Sequence, residues 1–234
     1  MKKNKLYKTN INMFTSKFTF ISGVTRSGKS FLCPIVSSLK KAEMFFMSSI
    51  AENIAYVDSL GDLDKAHSSY LFKLVLNETV YNLNIGRQIN PRKSDYTSFY
   101  KFKKPNEYLK RLRGPEGNSI NKKIKFEDHI YPMMFHDALI NPKLLLSNLK
   151  NSRIVFIRRH PAELIHEWIK KKYYGSFYKN PRNVTLSYKY KKTFIPYWGL
   201  KYANKIIKTD NLIDKTIYLL FSLIDKQIKN FNRL

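Results

Sequence analysis

Apolar runs and apolar spacing divide this chain into alternating strands and helices. Residues 18–22 (FTFIS) form a short apolar run that reads as a buried strand, followed by a glycine-bracketed loop over 23–29 and an apolar helix over 30–39. Residues 43–48 (EMFFMS) are a second apolar run after that helix, which predicts a second parallel strand. Residues 49–60 fit neither period cleanly. From 64 to 82, Leu71, Phe72, Leu74, Val75, Leu76, Val80 and Tyr81 recur at helical spacing, with Asp62 or Asp64 as N-cap. Residues 130–135 (IYPMMF) predict a strand interrupted by Pro132 and leading into His136-Asp137. A short helix is expected over 141–150. Residues 153–157 (RIVFI) are β-branched and apolar on both faces, the pattern of a central parallel strand. Residues 161–172 predict a helix with Pro161 in its first turn and Glu163 near its positive end. Apolar residues from Ile206 to Ile224 predict helix across 200–234. Strands alternating with helices, without an internal repeat, predict a three-layer α/β/α domain around a central parallel sheet.

The polar stretches divide the chain further. Residues 1–16 read as a loose basic arm with no sustained apolar run, Ile11, Met13 and Phe14 being among its apolar points, and 17–234 as one domain. A polar insertion runs from about 84 to 128. Its first part, 84–100, is a loop with Arg87, Arg92, Lys93 and Asp95 to offer. Its second part, 101–125, is rich in lysine and turn residues and is expected to be a mobile surface excursion or lid, or simply a solvated insertion. Residues 173–198 are aromatic and irregular. Tyr173, Tyr174, Phe177, Tyr178, Tyr188, Tyr190, Phe194, Tyr197 and Trp198 are expected to pack beneath a loop, with stacking on a ligand ring as the alternative.

Composition narrows the class. A chain of 234 residues with 43% hydrophobic content can bury one full core. Its single cysteine, Cys33, excludes an internal disulfide and implies a reducing compartment; on an apolar helix it reads as a core residue. Against 17 Asp and Glu stand 43 Lys and Arg, a net charge of +26, which attracts phosphates, anionic glycans, nucleic acids and anionic membranes alike. The excess is diffuse and comes with many Asn, Ile, Phe and Tyr, as an AT-biased coding sequence would produce, so no specific nucleic acid is expected. No apolar run is long enough to span a membrane, and the first residues lack the apolar core of a leader. A soluble cytoplasmic protein is expected, with peripheral contact to an anionic membrane left open. His67, His129 and His160 show no metal-ligand spacing with one another or with Cys33, so no metal is expected.

The chemistry concentrates at Gly23 to Ser30, G-x-x-x-x-G-K-S, a complete Walker A pattern between a strand and a helix. Successive N–H groups in such a loop face an anion, and the following helix adds its positive end. A kinase or NTPase also needs Mg²⁺, held by the loop serine and an Asp at the end of another strand. Asp58, after NIAYV, and Asp137, after MMFH, are the candidates. The RIVFI strand instead ends in Arg158-Arg159-His160-Pro161, and basic residues there suit a second anion.

Two anion sites on these elements resemble the sulfotransferases that use 3′-phosphoadenylyl sulfate. GVTRSGKSFL (23–32) is similar to the loop of tyrosylprotein sulfotransferases, and IVFIRRHPAELIHEW (154–168) to the family's strand-Arg-x-Pro-helix motif. His136 lies upstream of the arginine pair at the distance of the catalytic histidine of cytosolic sulfotransferases. The resemblance implies a P-loop fold and transfer of a sulfuryl group to a hydroxyl or amine, on a glycan or a lipid head group, with adenosine 3′,5′-bisphosphate as product and no metal. It implies that Thr25, Arg26, Ser27, Gly28, Lys29 and Ser30 hold the 5′-phosphosulfate, with Arg26 and Lys29 stabilising charge. Arg159, with Arg158 beside it, would hold the 3′-phosphate, and His136 would be the base. Arg87 and Arg92 are candidate substrate contacts. Two positions depart from the family: Lys29 stands where Thr is usual, and Glu167, or His166 counted from Arg158, where a phosphate-binding Ser is usual. The alternatives are a P-loop kinase of a small metabolite using ATP and Mg²⁺, and a non-catalytic nucleotide- or nucleic-acid-binding protein.

Overall fold

A computed structural model describes residues 11–173 and 185–234. It is a mixed α/β structure with a three-stranded parallel sheet and, among the described residues, nine α-helices. The chain runs β1 (Phe18–Ser22), α1 (Lys29–Ser37), α2 (Ser49–Leu60), α3 (Lys65–Asn84), α4 (Pro105–Arg111), α5 (Asn118–Glu127) and β2 (Tyr131–Met134). It continues through α6 (Pro142–Asn148), β3 (Arg153–Phe156), α7 (Pro161–Lys170), a hairpin of β4 (Ser187–Tyr190) and β5 (Thr193–Pro196), then α8 (Ala203–Lys208) and α9 (Leu212–Phe231).

The sheet order is β2-β1-β3, so β1 is the central strand. Phe20 pairs with Met133 on one side and Ile154 on the other. The RIVFI segment is therefore an edge strand among the described residues, not the central one, and Val155 is 37% exposed. Its apolar pattern misleads because Ile154 and Phe156 face a cavity beside α9 rather than a second paired strand. The expected strand at 43–48 is reduced to two parallel bridges, Ala42 with Ile130 and Phe46 with Met133. Pro132 supplies the reason. Ile130 and Met134 donate backbone hydrogen bonds to Lys41 and Phe46, and the proline between them has no N–H to complete the ladder.

Local signals account for most helices. Asp64 caps α3 by accepting from Ala66 and His67, and Pro161 opens α7. Residues 49–60, unassigned by pattern, are α2, capped by Ser48, so NIAYV is helical. The C-terminal helix is broken: α8 ends before Asn211, which caps α9. The aromatic stretch yields the β4–β5 hairpin, turning at Lys191 with φ of 55°. Tyr174, Phe177 and Tyr178 lie outside the described residues, as does the arm over residues 1–10.

The described part of one segment expected to be loose, and the whole of another, are docked. In the arm, Phe14 N–H donates to Asn77 Oδ1, and Met13 and Phe14 pack on the core. In the insertion, Phe102, Tyr108, Ile120 and Ile124 are buried, and the Arg111 guanidinium donates to both oxygens of buried Glu43 at 2.9 and 3.0 Å. An apolar stripe on α5 and one buried ion pair on α4 thus fix a stretch that reads as solvated in sequence. Two clusters form the core. One packs α1, α3, α5 and α6 on the sheet; the other joins α7, α8, α9 and the hairpin around Trp168 and Trp198. No helix among the described residues is long and apolar enough to cross a membrane.

Candidate functional site

The carboxyl ends of three adjacent parallel strands deliver the loop after β1, His136-Asp137 after β2, and Arg158-Arg159 after β3. In open α/β sheets a crevice at strand carboxyl ends, where neighbouring connections diverge, is where ligands bind. Ser22 at the end of β1 stitches two of these together, its hydroxyl accepting from Ala138 N–H at 2.9 Å.

The loop is shaped for backbone display. Gly23 has φ of 148°, and a Cβ there would lie 2.5 Å from the Ile157 carbonyl. Gly28 has φ of 109°, left-handed, and a Cβ there would meet nothing within 4 Å, so the loop opens on free space at that point. No side chain caps α1, which leaves its N-terminal amides for an anion. The Ser27 hydroxyl is buried without a partner. Helix α7 braces the loop from behind. Trp168 donates from Nε1 to the Thr25 carbonyl at 3.0 Å, and Arg159 donates to the Arg26 carbonyl at 3.0 Å. Glu167 accepts two bonds from the Arg26 side chain, at 2.9 and 2.7 Å. With one carbonyl bonded from α7 and the next from Arg159 just before it, the loop keeps φ of 74° at Arg26, a conformation non-glycine residues adopt only when held.

Lys29 is buried and turns its ammonium back on the loop, donating to the Gly23 and Val24 carbonyls. Burial pushes its pKa down, while the charges of Asp137 and Glu52 oppose the shift. Asp137 is at the left-handed φ of 55° and accepts from Gln227 Nε2 at 3.0 Å. Desolvation outweighs the nearby Lys29 and His136 charges and raises its pKa to about 6. Glu52, on the first turn of α2 and 2% exposed, accepts from the His136 backbone N–H at 2.9 Å and lies 3.1 Å from His136 Nδ1. A carboxylate so placed favours a proton on Nδ1, the arrangement that in a neutral imidazole leaves Nε2 as the acceptor. The Tyr56 hydroxyl donates to the His136 carbonyl at 3.3 Å.

The expected residues divide by placement. Thr25 to Ser30 and His136 converge on one crevice. Arg159 is committed to Glu163 and the loop backbone, whereas Arg158 has no ion pair or hydrogen bond among the described residues. Arg87 pairs with Glu116 and Arg92 with Asp95, both largely exposed, so each guanidinium is engaged by its own surface carboxylate. From the same loop, the Tyr96 hydroxyl donates to Met47 Sδ at 3.2 Å and its ring stacks on Phe45. His166 is exposed, and His160 caps α7 through Nδ1. Asp58 is structural, accepting from Ser68 and Asn141. Cys33 is a core residue whose thiol burial pushes up to about 12.

Sequence reasoning missed Glu52 and Gln227. For Glu52 a signal existed: Ser48 followed by Glu52, with Ala51, Ile54 and Ala55 at helical spacing, marks a capped helix carrying an acid in its first turn. It missed a second cluster as well. Glu43, Glu127 and His129 lie close enough to share a cation. Arg111 and His129 already neutralise Glu43 there, each bonding its carboxylate. No protein-family model, curated protein or solved structure matches this chain.

Proposed function

We propose that this chain is a P-loop sulfotransferase of three-layer α/β/α architecture, moving a sulfuryl group from 3′-phosphoadenylyl sulfate to a hydroxyl or amine. The observation that carries the reading is the Glu52–His136 pair beside the loop: an imidazole whose Nδ1 lies 3.1 Å from a buried carboxylate, a placement that suits Nε2 to act as acceptor. The residues present fit the anion. The free space at Gly28 and the uncapped start of α1 offer backbone amides to phosphate and sulfonate oxygens. When bound, the co-substrate supplies the activated sulfuryl group. His136 Nε2 takes the proton of the acceptor hydroxyl, and Glu52 stabilises the imidazolium that results. Lys29, held by carbonyls in the resting loop, and Arg26, held by Glu167, supply positive charge for the leaving phosphate. The Arg26 pair also answers the departure at Glu167, because that carboxylate is already neutralised. Arg158 is the free guanidinium for a second phosphate.

One observation favours the kinase reading. Asp137 follows the strand next to β1 and faces Lys29, where a Mg²⁺-binding carboxylate would be needed. Its burial and its bond from Gln227 weigh against that role.

Calorimetry with adenosine 3′,5′-bisphosphate and with ADP–Mg²⁺ separates the two. Metal-independent binding of the bisphosphate is expected, and a preference for ADP that needs Mg²⁺ sinks the sulfotransferase reading. His136→Ala is expected to abolish sulfuryl transfer while keeping bisphosphate affinity; unchanged turnover removes it as the base.

A further inference from the structure

At the far end of α1 from the loop, where the chain from Leu39 to Glu43 passes the start of α4, lies a pocket of about 340 Å³. The nine residues of α1, roughly 14 Å of helix, separate it from the loop. Phe102 and Tyr108, both buried, give it an apolar part. Six basic residues line the rest: Lys40, Lys41, Lys103, Lys104, Arg111 and His129. The two acids among its lining are Glu43 and Glu107. Glu43 takes Arg111 and His129, and Glu107 takes Lys104 at 2.8 Å. Lys40, Lys41 and Lys103 are left over, with no side-chain hydrogen bond or ion pair among the described residues.

Gathering three unpaired ammonium groups on one pocket is unfavourable in a chain that already carries a net charge of +26. Lys41 and Lys103 are 62 residues apart, so packing brings them together rather than a local lysine run. Lys41 is held at the left-handed φ of 62°, its carbonyl accepting from Ile130 N–H at 2.8 Å. Asp128 feels the Lys41 charge, but Lys17 already bonds it. A concave surface focuses the field of its charges and concentrates anions. Each ammonium is a compact donor of three N–H bonds, suited to phosphate and sulfate oxygens. Three of them around a pocket of small-molecule size call for an anion with more than one such group.

We propose that this pocket binds a small multivalent oxyanion, one carrying two or more phosphate or sulfate groups bonded by Lys40, Lys41 and Lys103. Bound there, the anion bridges the end of α1 to the start of α4 and ties the lysine-rich insertion to the helix that follows the loop. The site rests on the pocket and these lysines, not on sulfuryl transfer, and none of its residues belongs to the crevice at the strand ends. Two sources share this chemistry: a free polyphosphate, and a sulfated or phosphorylated sugar.

Tripolyphosphate, titrated by calorimetry into the full chain carrying Lys29→Met to impair the loop, is expected to bind one-to-one and to weaken as salt is added. Adding Lys40→Ala, Lys41→Ala and Lys103→Ala together should weaken that binding at least tenfold. Lys189→Ala, Lys192→Ala and Lys208→Ala together remove the same charge from exposed lysines elsewhere and should change it less than twofold. If the first triple variant does not fold by circular dichroism, Lys41→Asn takes its place, since asparagine tolerates a positive φ, and should weaken binding about threefold. In the chain with Lys29 intact, bisphosphate affinity should stay within about twofold when the pocket lysines are replaced. No saturable binding in Lys29→Met, equal losses in the two triple variants, or a matching loss of bisphosphate affinity overturns the inference. A trisulfated heparin disaccharide assigns the source: binding tighter than tripolyphosphate points to a sulfated sugar, and weaker binding to a free polyphosphate.

Discussion

The two ends of β2 carry two buried charged clusters made in opposite ways. At the amino end, Glu43 accepts two bonds from Arg111 and sits 2.8 Å from His129 Nδ1. Burial alone would raise its pKa, but the His129 bond and the Arg111 charge override it and hold it down at about 2. At the carboxyl end, Lys29 faces Asp137 and Glu52, yet desolvation wins for both Lys29 and Asp137, lowering the one and raising the other. The first cluster is a closed structural joint, satisfied in the folded chain alone. The second leaves both charges desolvated, as expected at a functional site.

The strongest way to break this contrast is Arg111→Met. It leaves Glu43 buried without its main partner and should cost about 3–5 kcal/mol in urea unfolding at pH 7. A loss under about 1 kcal/mol would mean that the joint is not what docks α4. Lys29→Met should do the reverse. Bisphosphate affinity should fall about a hundredfold by calorimetry, roughly 2.7 kcal/mol, with stability unchanged or raised because a desolvated charge is removed. A clear loss of stability would make Lys29 a structural residue like Arg111.

Acid titration sharpens the comparison. Asp137 ionises near 3.8 when unfolded and at about 6 when folded. Between these the native state holds more protons, so stability falls as pH rises from about 4 to 6. Glu43 has the opposite sign: its contribution is present above its unfolded value of 4.5 and is lost as pH falls towards about 2. Asp137→Asn should therefore raise stability at pH 7 by on the order of 2 kcal/mol and flatten the slope between about pH 4 and 6. A slope that persists in the variant assigns it to another group. A smaller change is expected for Glu52→Gln, which keeps a hydrogen-bond partner for His136 but not the charge. Turnover should drop about tenfold, about 1.4 kcal/mol, with a shifted pH–rate profile and bisphosphate affinity retained. Loss of affinity instead would place Glu52 in ligand binding. Smallest of all, Glu116→Ala breaks an exposed pair with Arg87 and should change unfolding by less than about 0.5 kcal/mol. A larger effect would mean that the insertion is held from its surface as well as through Arg111.

The glycine-bracketed loop between β1 and α1 was legible because its geometry is local. Glycines, lysine and serine at fixed spacing after an apolar strand specify a backbone shape with little help from elsewhere. The Asp64 and Pro161 helix starts were readable for the same reason. Strand rank was not. RIVFI looks central by composition and lies at the edge, and EMFFMS looks like a strand but is interrupted by a proline 86 residues on from its phenylalanine at 46. A residue pattern records how much apolar surface a segment must cover, not which neighbour covers it.

The sequence by itself determined the alternation of strands and helices, the loop, its positive helix start and the arginine pair after β3, because each depends on residues within a few positions. Only the tertiary structure decided which charges meet. Glu52 reaches His136, Glu167 neutralises Arg26, Arg111 finds Glu43, and Gln227 holds Asp137 across separations of 84, 141, 68 and 90 residues. Charge pairing depends on distance in space and on how much water burial removes, and the packed chain sets both.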